Sequence, residues 1–144
     1  PAGLLAKFHP PVHGREDNEA LWHGLADGTI DCVGTDHIPQ PRARKVVEGD
    51  VWKSTAGAPG HETLLPLLLS SGRLALPRVA EVTSANAARA FGLWPHKGAI
   101  ALGFDADLTL VDLERRRVVR AADFVTSADF TPYEGMELSD YPWE

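Results

Sequence analysis

The sequence predicts an α/β fold whose first part contains a parallel sheet and whose last part is a small β-unit. Strand-like and helix-like segments alternate through residues 1–95, which is typical of a parallel sheet, either open or closed into a barrel. Apolar residues are nearly continuous in the segment 29–36, as in a strand covered on both faces. After Pro95, short apolar runs divided by Gly, Asp and Arg replace this alternation, so the sequence predicts a second unit over residues 96–144.

The composition is that of a folded, acidic chain. Of its 144 residues, 44% are hydrophobic, which is enough for a core and excludes a disordered protein. The formal net charge of -6 argues against a nucleic-acid partner, because phosphate binding needs a basic face, and the arginines at 115–117 are expected to form a solvated turn. No apolar run is long enough to span a bilayer. The single cysteine, Cys32, fits a reducing cytoplasm, where we expect the protein to act.

Three elements are predicted before the long loop. GLLAKFHPPV predicts a short apolar strand that ends at Pro10 and Pro11, because proline cannot continue a hydrogen-bonded ladder. A helix is predicted over residues 16–27, since acidic residues crowd its first turn, apolar residues share one face and Gly28 can take a left-handed cap. TIDCVGTD then predicts the next strand.

A long loop and two helices complete the first part. The loop at 37–60 carries Pro, Gly and charge throughout, and loops of this length are usually functional or disordered. HETLLPLLLSSG predicts a helix, in which Pro66 is tolerable only within the first turn. A stronger helix begins near Pro77, has one apolar stripe and closes at Gly92. The stripe consists of Leu76, Val79, Ala80, Ala87, Ala90 and Phe91.

The last part predicts a set of short strands. GAIALG, ADLTLVDL and RVVRAADF are apolar runs separated by turn residues, and Asp105 and Asp107 are expected to turn a hairpin. The sequence has no HExxH, cysteine pair, GxSxG, Walker loop or dinucleotide glycine pattern. None of those motifs therefore assigns a reaction.

Polar side chains stand where the first two predicted strands end. His9 and Asp36 should face the same side of the fold, because chemistry in such sheets collects at the C-terminal ends of strands. Asp36 has two interpretations, a cap of the following turn or a catalytic or metal-binding carboxylate. His37 alone would be structural or solvated, but a carboxylate and an imidazole together are ligands for zinc, manganese or iron. The AGAPG loop could bind a ligand through backbone N–H groups or simply lead into the next helix.

Four stretches of sequence carry a resemblance to a known family. In chain order they are DGTIDCVGTDHIP, AGAPGHETLLPLLL, SANAARAFGLWPHKGAIALGFDADLTLVD and TPYEG. Together they resemble the cyclic amidohydrolases: dihydroorotase, allantoinase and the dihydropyrimidinase/hydantoinase group. The resemblance implies a metal-dependent (β/α)8 hydrolase barrel, with residues 1–95 as its last strands and helices. Residues 96–144 would then be the C-terminal portion of a small β-sandwich.

The resemblance also implies a cofactor and a reaction. Cyclic amidohydrolases usually hold two zinc ions, and a metal-held hydroxide attacks a small cyclic amide or ureide to break a ring C–N bond. Asp36 matches the family's aspartate after the eighth strand, which binds one metal and moves the proton from the attacking water to the leaving nitrogen. His37 would support Asp36. Ala56 and Gly57 match two backbone positions that contact the ring substrate in dihydroorotases.

The sequence departs from dihydroorotases at three positions, of which His9 and Gln40 are expected substrate contacts. Where they tend to read KVNPPLR this chain has KFHPPVH, so His9 stands in place of a substrate-binding asparagine and His13 in place of an arginine. Gln40 stands in place of the last histidine of TDHAPH. The expectation is a dihydroorotase-like enzyme of pyrimidine metabolism. Dihydropyrimidinase, hydantoinase, allantoinase and a non-catalytic dihydroorotase-like assembly partner are the alternatives.

We expect the chain to be part of a longer protein. It begins at Pro1 without Met and stops at Glu144 just after a turn-like stretch. The family's HxH pair, carboxylated lysine and two further histidine ligands would lie upstream. One carboxylate cannot hold two metal ions, so the isolated chain is expected to bind zinc poorly and to be inactive. The full-length protein is expected to be a homo-oligomer.

Overall fold

Helices dominate the first two thirds of the chain, and an antiparallel strand pair closes the last third. The structure is a computed structural model and describes residues 3–142. Its α-helices are α1 (Arg15–Asp27), α2 (Arg42–Lys45), α3 (His61–Ser70), α4 (Leu76–Ala80) and α5 (Asn86–Ala90). A π-helical turn, Glu81–Ala85, joins α4 to α5, and 3-10 turns form at Gly3–Ala6 and Ala121–Asp123. The strands are β1 (Val111–Val118) and β2 (Glu137–Pro142).

Helix α1 confirms the first predicted helix. The Asp17 carboxylate accepts the Gly14 N–H at 3.0 Å, which satisfies a main-chain donor at the start of the helix. Gly28 takes a φ of 91° directly after Asp27 and ends the helix in the left-handed conformation, as predicted. Leu25 is buried on the face that was predicted to be apolar.

The two strands predicted before the long loop are not strands in the described residues. Residues 3–6 form a 3-10 turn, and residues 31–40 belong to no helix or strand. Cys32 and Val33 are half-buried rather than covered on both faces. A strand exists only where a neighbour accepts and donates its backbone hydrogen bonds, and the sheet within residues 3–142 is the single pair β1–β2. An apolar pattern can indicate a strand but cannot supply the neighbouring strands with which it would pair.

The π-helical turn binds the segment that leads to Asp36. In this turn the Asn86 N–H bonds the oxygen of Glu81, five residues back, instead of that of Val82. The Val82 oxygen instead accepts the Val33 N–H at 3.0 Å. The Asn86 side chain donates to the Asp31 oxygen at 2.9 Å. The segment that leads to Asp36 is therefore positioned by a helix that follows it by about fifty residues in the sequence.

The same turn explains an error in the predicted helix stripe. Val79, Val82 and Ala88 are buried at 2%, 0% and 5% exposure, but the predicted stripe members Leu76 and Phe91 are 53% and 77% exposed. The extra residue of a π-turn rotates the face that follows it, which displaces the later part of the stripe, including Phe91. Leu76 precedes the turn and is not affected by it. The predicted helix itself, including its closure at Gly92 with φ 70°, is confirmed.

Helix α3 is confirmed, but the condition placed on its proline is wrong. Pro66 is the sixth residue of the helix, beyond the first turn, and is buried. It costs one backbone hydrogen bond, and burial of its apolar ring offsets part of that loss. At the end of the helix the Ser70 hydroxyl donates to the Ser139 oxygen at 2.8 Å and accepts the Ser139 N–H at 2.9 Å. These bonds join α3 to β2.

Strand β1 corrects the expected turn at the arginine cluster. Residues 115–117 lie within β1, which pairs antiparallel with β2. The register shifts between Asp112 and Arg116, and the Asp112 carboxylate accepts the N–H groups of Glu114 and Arg115 at 2.9 and 3.2 Å. A bulge therefore occupies the place where a turn between two strands was predicted.

The segment before β1 does not form the predicted strands or hairpin. Residues 99–110 contain no assigned strand, and the ammonium of Lys97 instead binds the carboxylates of Asp105, at 2.8 Å, and Asp107. These hydrogen bonds hold the pKa of Lys97 above its usual range. The predicted domain boundary at 95/96 stays a prediction. In the described part of the chain, no helix has the length and apolar character that crossing a membrane requires.

Candidate functional site

One cavity contains four of the six predicted site residues. It has a volume of about 480 Å³, and His9, Asp36, Ala56 and Gly57 all line it. The lining comes from four segments of the chain, within 8–12, 35–38, 56–60 and 132–133. Residues that are distant in sequence therefore share one concave surface, which is the usual form of a small-molecule site.

A larger cavity lacks the chemistry of this one. It has a volume of about 660 Å³ and lies between α4 and the segment 97–113. Its charged residues include Lys97, Asp105 and Asp107, which already pair with one another. None of the predicted site residues lines it. The smaller cavity is therefore the candidate site on chemical grounds.

Asp36 has an unusual backbone conformation at the edge of the cavity. Its φ is 44°, and within residues 3–142 it is the one non-glycine residue with a positive φ. Aspartate tolerates this left-handed conformation better than most side chains, and such strain clusters at functional sites. Asp36 is exposed, so packed aliphatic neighbours do not cover it. Its carboxylate is accessible for proton transfer or for binding a cation.

Gly57 makes the close contacts on which the cavity wall depends. Its N–H donates to the Lys7 oxygen at 3.2 Å, and the Ile38 N–H donates to the Ala58 oxygen at 3.1 Å. A Cβ added at Gly57 would lie 2.7 Å from the Ile38 Cβ, and the φ of Gly57 is 99°. Only glycine satisfies both conditions. The absence of a side chain thus brings the glycine loop next to the Asp36 segment.

His37 holds the glycine loop. Its Nδ1 accepts the N–H groups of Gly60 and His61 at 3.1 and 3.2 Å, so the ring proton belongs on Nε2, which lies 3.5 Å from the Thr126 hydroxyl. The His37 ring stacks on that of His61 at 3.9 Å. These bonds, as far as the described residues show, do not include the Asp36 carboxylate. That His37 supports Asp36 stays a prediction.

Loss of the His37 acceptor should loosen the glycine loop. His37→Ala leaves the part-buried Gly60 N–H without its acceptor and should lower the free energy of unfolding by about 1–2 kcal/mol. His37→Asn, whose amide oxygen can replace Nδ1, should lose less. Urea denaturation of both variants, with His23→Ala on exposed α1 surface as the control, measures the difference. Equal losses for His37→Ala and His23→Ala would contradict this role.

For two further residues, Gln40 and Tyr133, the lining of the cavity differs from what the sequence predicted. Gln40 is half-buried and does not line the cavity, and its substrate role stays a prediction. Tyr133 does line the cavity, although the sequence assigned it no role. Burial raises the pKa of the Tyr133 phenol above its usual range. The signal was its place in the TPYEG turn, one of the four stretches that carry the family resemblance.

The described residues do not form a metal site by themselves. Asp36 offers the hard carboxylate oxygen that zinc and other divalent ions accept. No group of three or more His, Cys, Asp or Glu residues within 3–142 is placed to hold an ion. A metal at this cavity would need ligands besides those this part of the chain brings together.

Comparison with known proteins gives consistent matches over most of the chain. A family model described as "Amidohydrolase family" matches residues 13–136. A dihydroorotase of Halobacterium salinarum is 46% identical over 136 residues, which are 92% of this chain and 32% of that protein. An L-hydantoinase of Paenarthrobacter aurescens is 39% identical over 145 residues, covering 97% of this chain and 32% of that protein. The chain therefore spans about a third of the length of these curated relatives.

Solved structures agree with these matches. A D-hydantoinase from Bacillus sp. AR9 superposes with a TM-score of 0.92 at 32% identity, covering 97% of this chain and 32% of that one. An L-hydantoinase (dihydropyrimidinase) from Arthrobacter aurescens superposes with a TM-score of 0.84 at 36% identity, covering 94% and 31%. These likenesses confirm the predicted fold class, part of a hydrolase barrel with a small β-unit.

Proposed function

Because the chain belongs to the amidohydrolase family, we propose that the full-length protein hydrolyses or forms a ring C–N bond in a small cyclic amide, most like a dihydroorotase. The observation that supports this best is the shared cavity. It combines the accessible carboxylate of Asp36 with His9 and the Ala56–Gly57 backbone. A base beside main-chain and imidazole hydrogen-bonding groups suits a planar ring with carbonyl and N–H edges.

Asp36 is proposed as the proton carrier. A carboxylate at the cavity can accept a proton from the attacking water and return it to the ring nitrogen as the C–N bond breaks. The positive φ of Asp36 directs its side chain differently from an ordinary strand residue, at a cost in strain that a functional position can explain. Its exposure lets substrate and water reach it.

The glycine loop is proposed to contact the ring. The Gly57 N–H already donates to Lys7, so what Gly57 offers a substrate is its carbonyl oxygen and the space left by its missing side chain. Ala56, beside it, takes part in none of the loop's backbone hydrogen bonds among the described residues. Its main-chain groups are free to recognise the edge of a ring amide.

A metal cofactor, proposed to be zinc, would involve this chain only in part. Amidohydrolases are generally metal-dependent, and a bound ion would supply Lewis-acid activation. Asp36 fits as one ligand, but the described residues offer no further cluster of ligands around it. The other ligands would come from elsewhere in the full-length protein.

The second candidate within the family is a hydantoinase or dihydropyrimidinase. His9 lines the cavity where the resemblance to dihydroorotases leads one to expect an asparagine. An imidazole presents one donor and one acceptor, whereas an amide presents two donors and an acceptor in a plane, so the preferred ring can differ. The 39% identity to an L-hydantoinase is consistent with this candidate.

A panel of cyclic amides separates the candidates. The full-length protein is expected to show a kcat/KM for dihydroorotate at least about tenfold above those for dihydrouracil, hydantoin and allantoin. The metal-loaded enzyme is assayed with all four, and metal content is measured on the same sample. Turnover of the other rings alone would remove dihydroorotase in favour of the second candidate. No turnover of any ring by metal-replete protein would favour a non-catalytic assembly partner.

A further inference from the structure

Lys45 is a fully buried lysine behind the wall of the cavity. It is 0% exposed, its ammonium donates to the main-chain oxygen of Lys7, and the nitrogen lies 4.7 Å from the centre of the Phe8 ring. Burial, reinforced by the nearby ammonium of Lys7, holds the pKa of Lys45 below its usual range. Among the described residues, no carboxylate contributes to that environment. A buried ammonium without an ion-pair partner is costly, so its position calls for a reason.

The oxygen that Lys45 binds is a shared acceptor. The same Lys7 oxygen accepts the Gly57 N–H at 3.2 Å. Phe8 and His9, which follow Lys7 directly, line one wall of the cavity, and Gly57 lines another. The two walls therefore meet at one carbonyl group, and the Lys45 ammonium binds that group from behind.

The side chain of Lys7 also connects the first segment to the long loop. Its ammonium donates to the oxygens of Val51, at 2.7 Å, and Ser54, at 2.6 Å. Next in the chain, the Thr55 N–H donates to the oxygen of Arg44, the residue before Lys45, at 3.1 Å. The long loop is thus closed against the first segment by two ammonium groups whose hydrogen bonds, within residues 3–142, go to main-chain oxygens.

We propose that Lys45 is a positioning residue, which sets the distance between the Phe8–His9 wall and the Ala56–Gly57 wall by binding the Lys7 carbonyl group. This inference rests on the proposed function, because those walls are the proposed contacts of the ring substrate. Charge-assisted hydrogen bonds are stronger than neutral ones, which suits a group that must keep a carbonyl oriented. A neutral side chain of equal size would fill the space without orienting the carbonyl.

The test compares three variants of the full-length protein. Lys45→Met keeps much of the volume and removes the donor. Lys45→Arg keeps the charge and a donor but lengthens the side chain. Lys53→Met removes an exposed lysine of the same loop and is the matched control. Two properties are measured: KM and kcat with the best substrate, and amide hydrogen exchange of the peptide containing Gly57 against one from α1.

Lys45→Met should raise KM about tenfold while kcat changes less than about threefold, because the lost hydrogen bond misplaces substrate contacts and leaves Asp36 in place. Exchange at Gly57 should accelerate while α1 stays protected. Lys45→Arg should show a smaller rise of about threefold in KM. Lys53→Met should match the wild type. If Lys45→Met does not fold, Lys45→Arg decides by the same two measurements.

Two results would overturn the inference. One is an unchanged KM, or a fall in kcat alone, in whichever Lys45 variant folds. The other is uniform acceleration of exchange in both peptides, which indicates a purely structural lysine. Failure of the proposed function is a separate result, since it appears as absence of turnover in the wild type. In that case the exchange at Gly57 still decides whether Lys45 positions the loop.

Discussion

Asp36→Asn should lower kcat of the full-length protein by about 10²- to 10⁴-fold, the range that a positioned acid or base contributes. The amide of asparagine cannot accept the proton that the carboxylate takes from water. The fold should be retained, because asparagine tolerates the left-handed φ of 44° about as well as aspartate does. Steady-state kinetics, together with circular dichroism to check folding, measure this effect.

The control for this substitution is a second aspartate in the same segment. Asp31 is exposed and five residues away, and its main-chain oxygen, not its carboxylate, binds Asn86. Asp31→Asn should therefore keep the wild-type rate. A folded Asp36→Asn protein with nearly normal kcat would remove Asp36 from the proposed mechanism. A loss of metal in that variant, measured on the same sample, would further indicate that Asp36 is a ligand.

Gly57→Ala should destabilise the protein by about 2–5 kcal/mol, the sum of a strained φ and a steric overlap. The added Cβ would lie 2.7 Å from the Ile38 Cβ, and the φ of 99° is one that alanine rarely adopts. Relief of the overlap must move either Ile38 or the glycine loop. Activity should fall as well, since both segments line the cavity. Chemical denaturation and kcat/KM measure the two effects.

Gly49→Ala is the control that separates the effect of backbone strain from that of steric overlap. Gly49 has a comparable φ of 74°, but nothing lies within 4 Å of a Cβ built there. It should lose only the strain, about 1–2 kcal/mol, and keep its activity. If the two alanine variants lose equal stability and activity, the close approach of Gly57 to Ile38 does not shape the site.

The local elements were largely predictable because their signals lie within a few residues. The acidic first turn and Gly28 define α1, and the apolar run after His61 defines α3. The π-turn at Glu81–Ala85 was not predictable in this way. Its reason is tertiary, since the Val82 oxygen that it frees binds Val33 in a distant segment. The exposed position Phe91, which follows the turn, was misassigned because of it.

The candidate site was predictable in its residue types but not in its assembly. The resemblance singled out Asp36, His9, Ala56 and Gly57, and one cavity contains all four. No periodic pattern pointed to Lys45, which lies in the predicted loop 37–60. A lysine is expected at the surface unless its partners are known, and here its partner is a main-chain oxygen 38 residues earlier.

By itself, the sequence indicated the family and the order of the main helices, and it singled out Asp36 as the candidate carboxylate. Capping, periodicity and motif order are short-range properties, so they can be found along the chain. Only the tertiary structure decided which walls enclose the cavity, why Gly57 admits no side chain and where the Lys45 ammonium is buried. Those features depend on atoms that come together only when segments distant in sequence pack against one another. A pattern found within a few residues carries no information on which distant segment will be the neighbour.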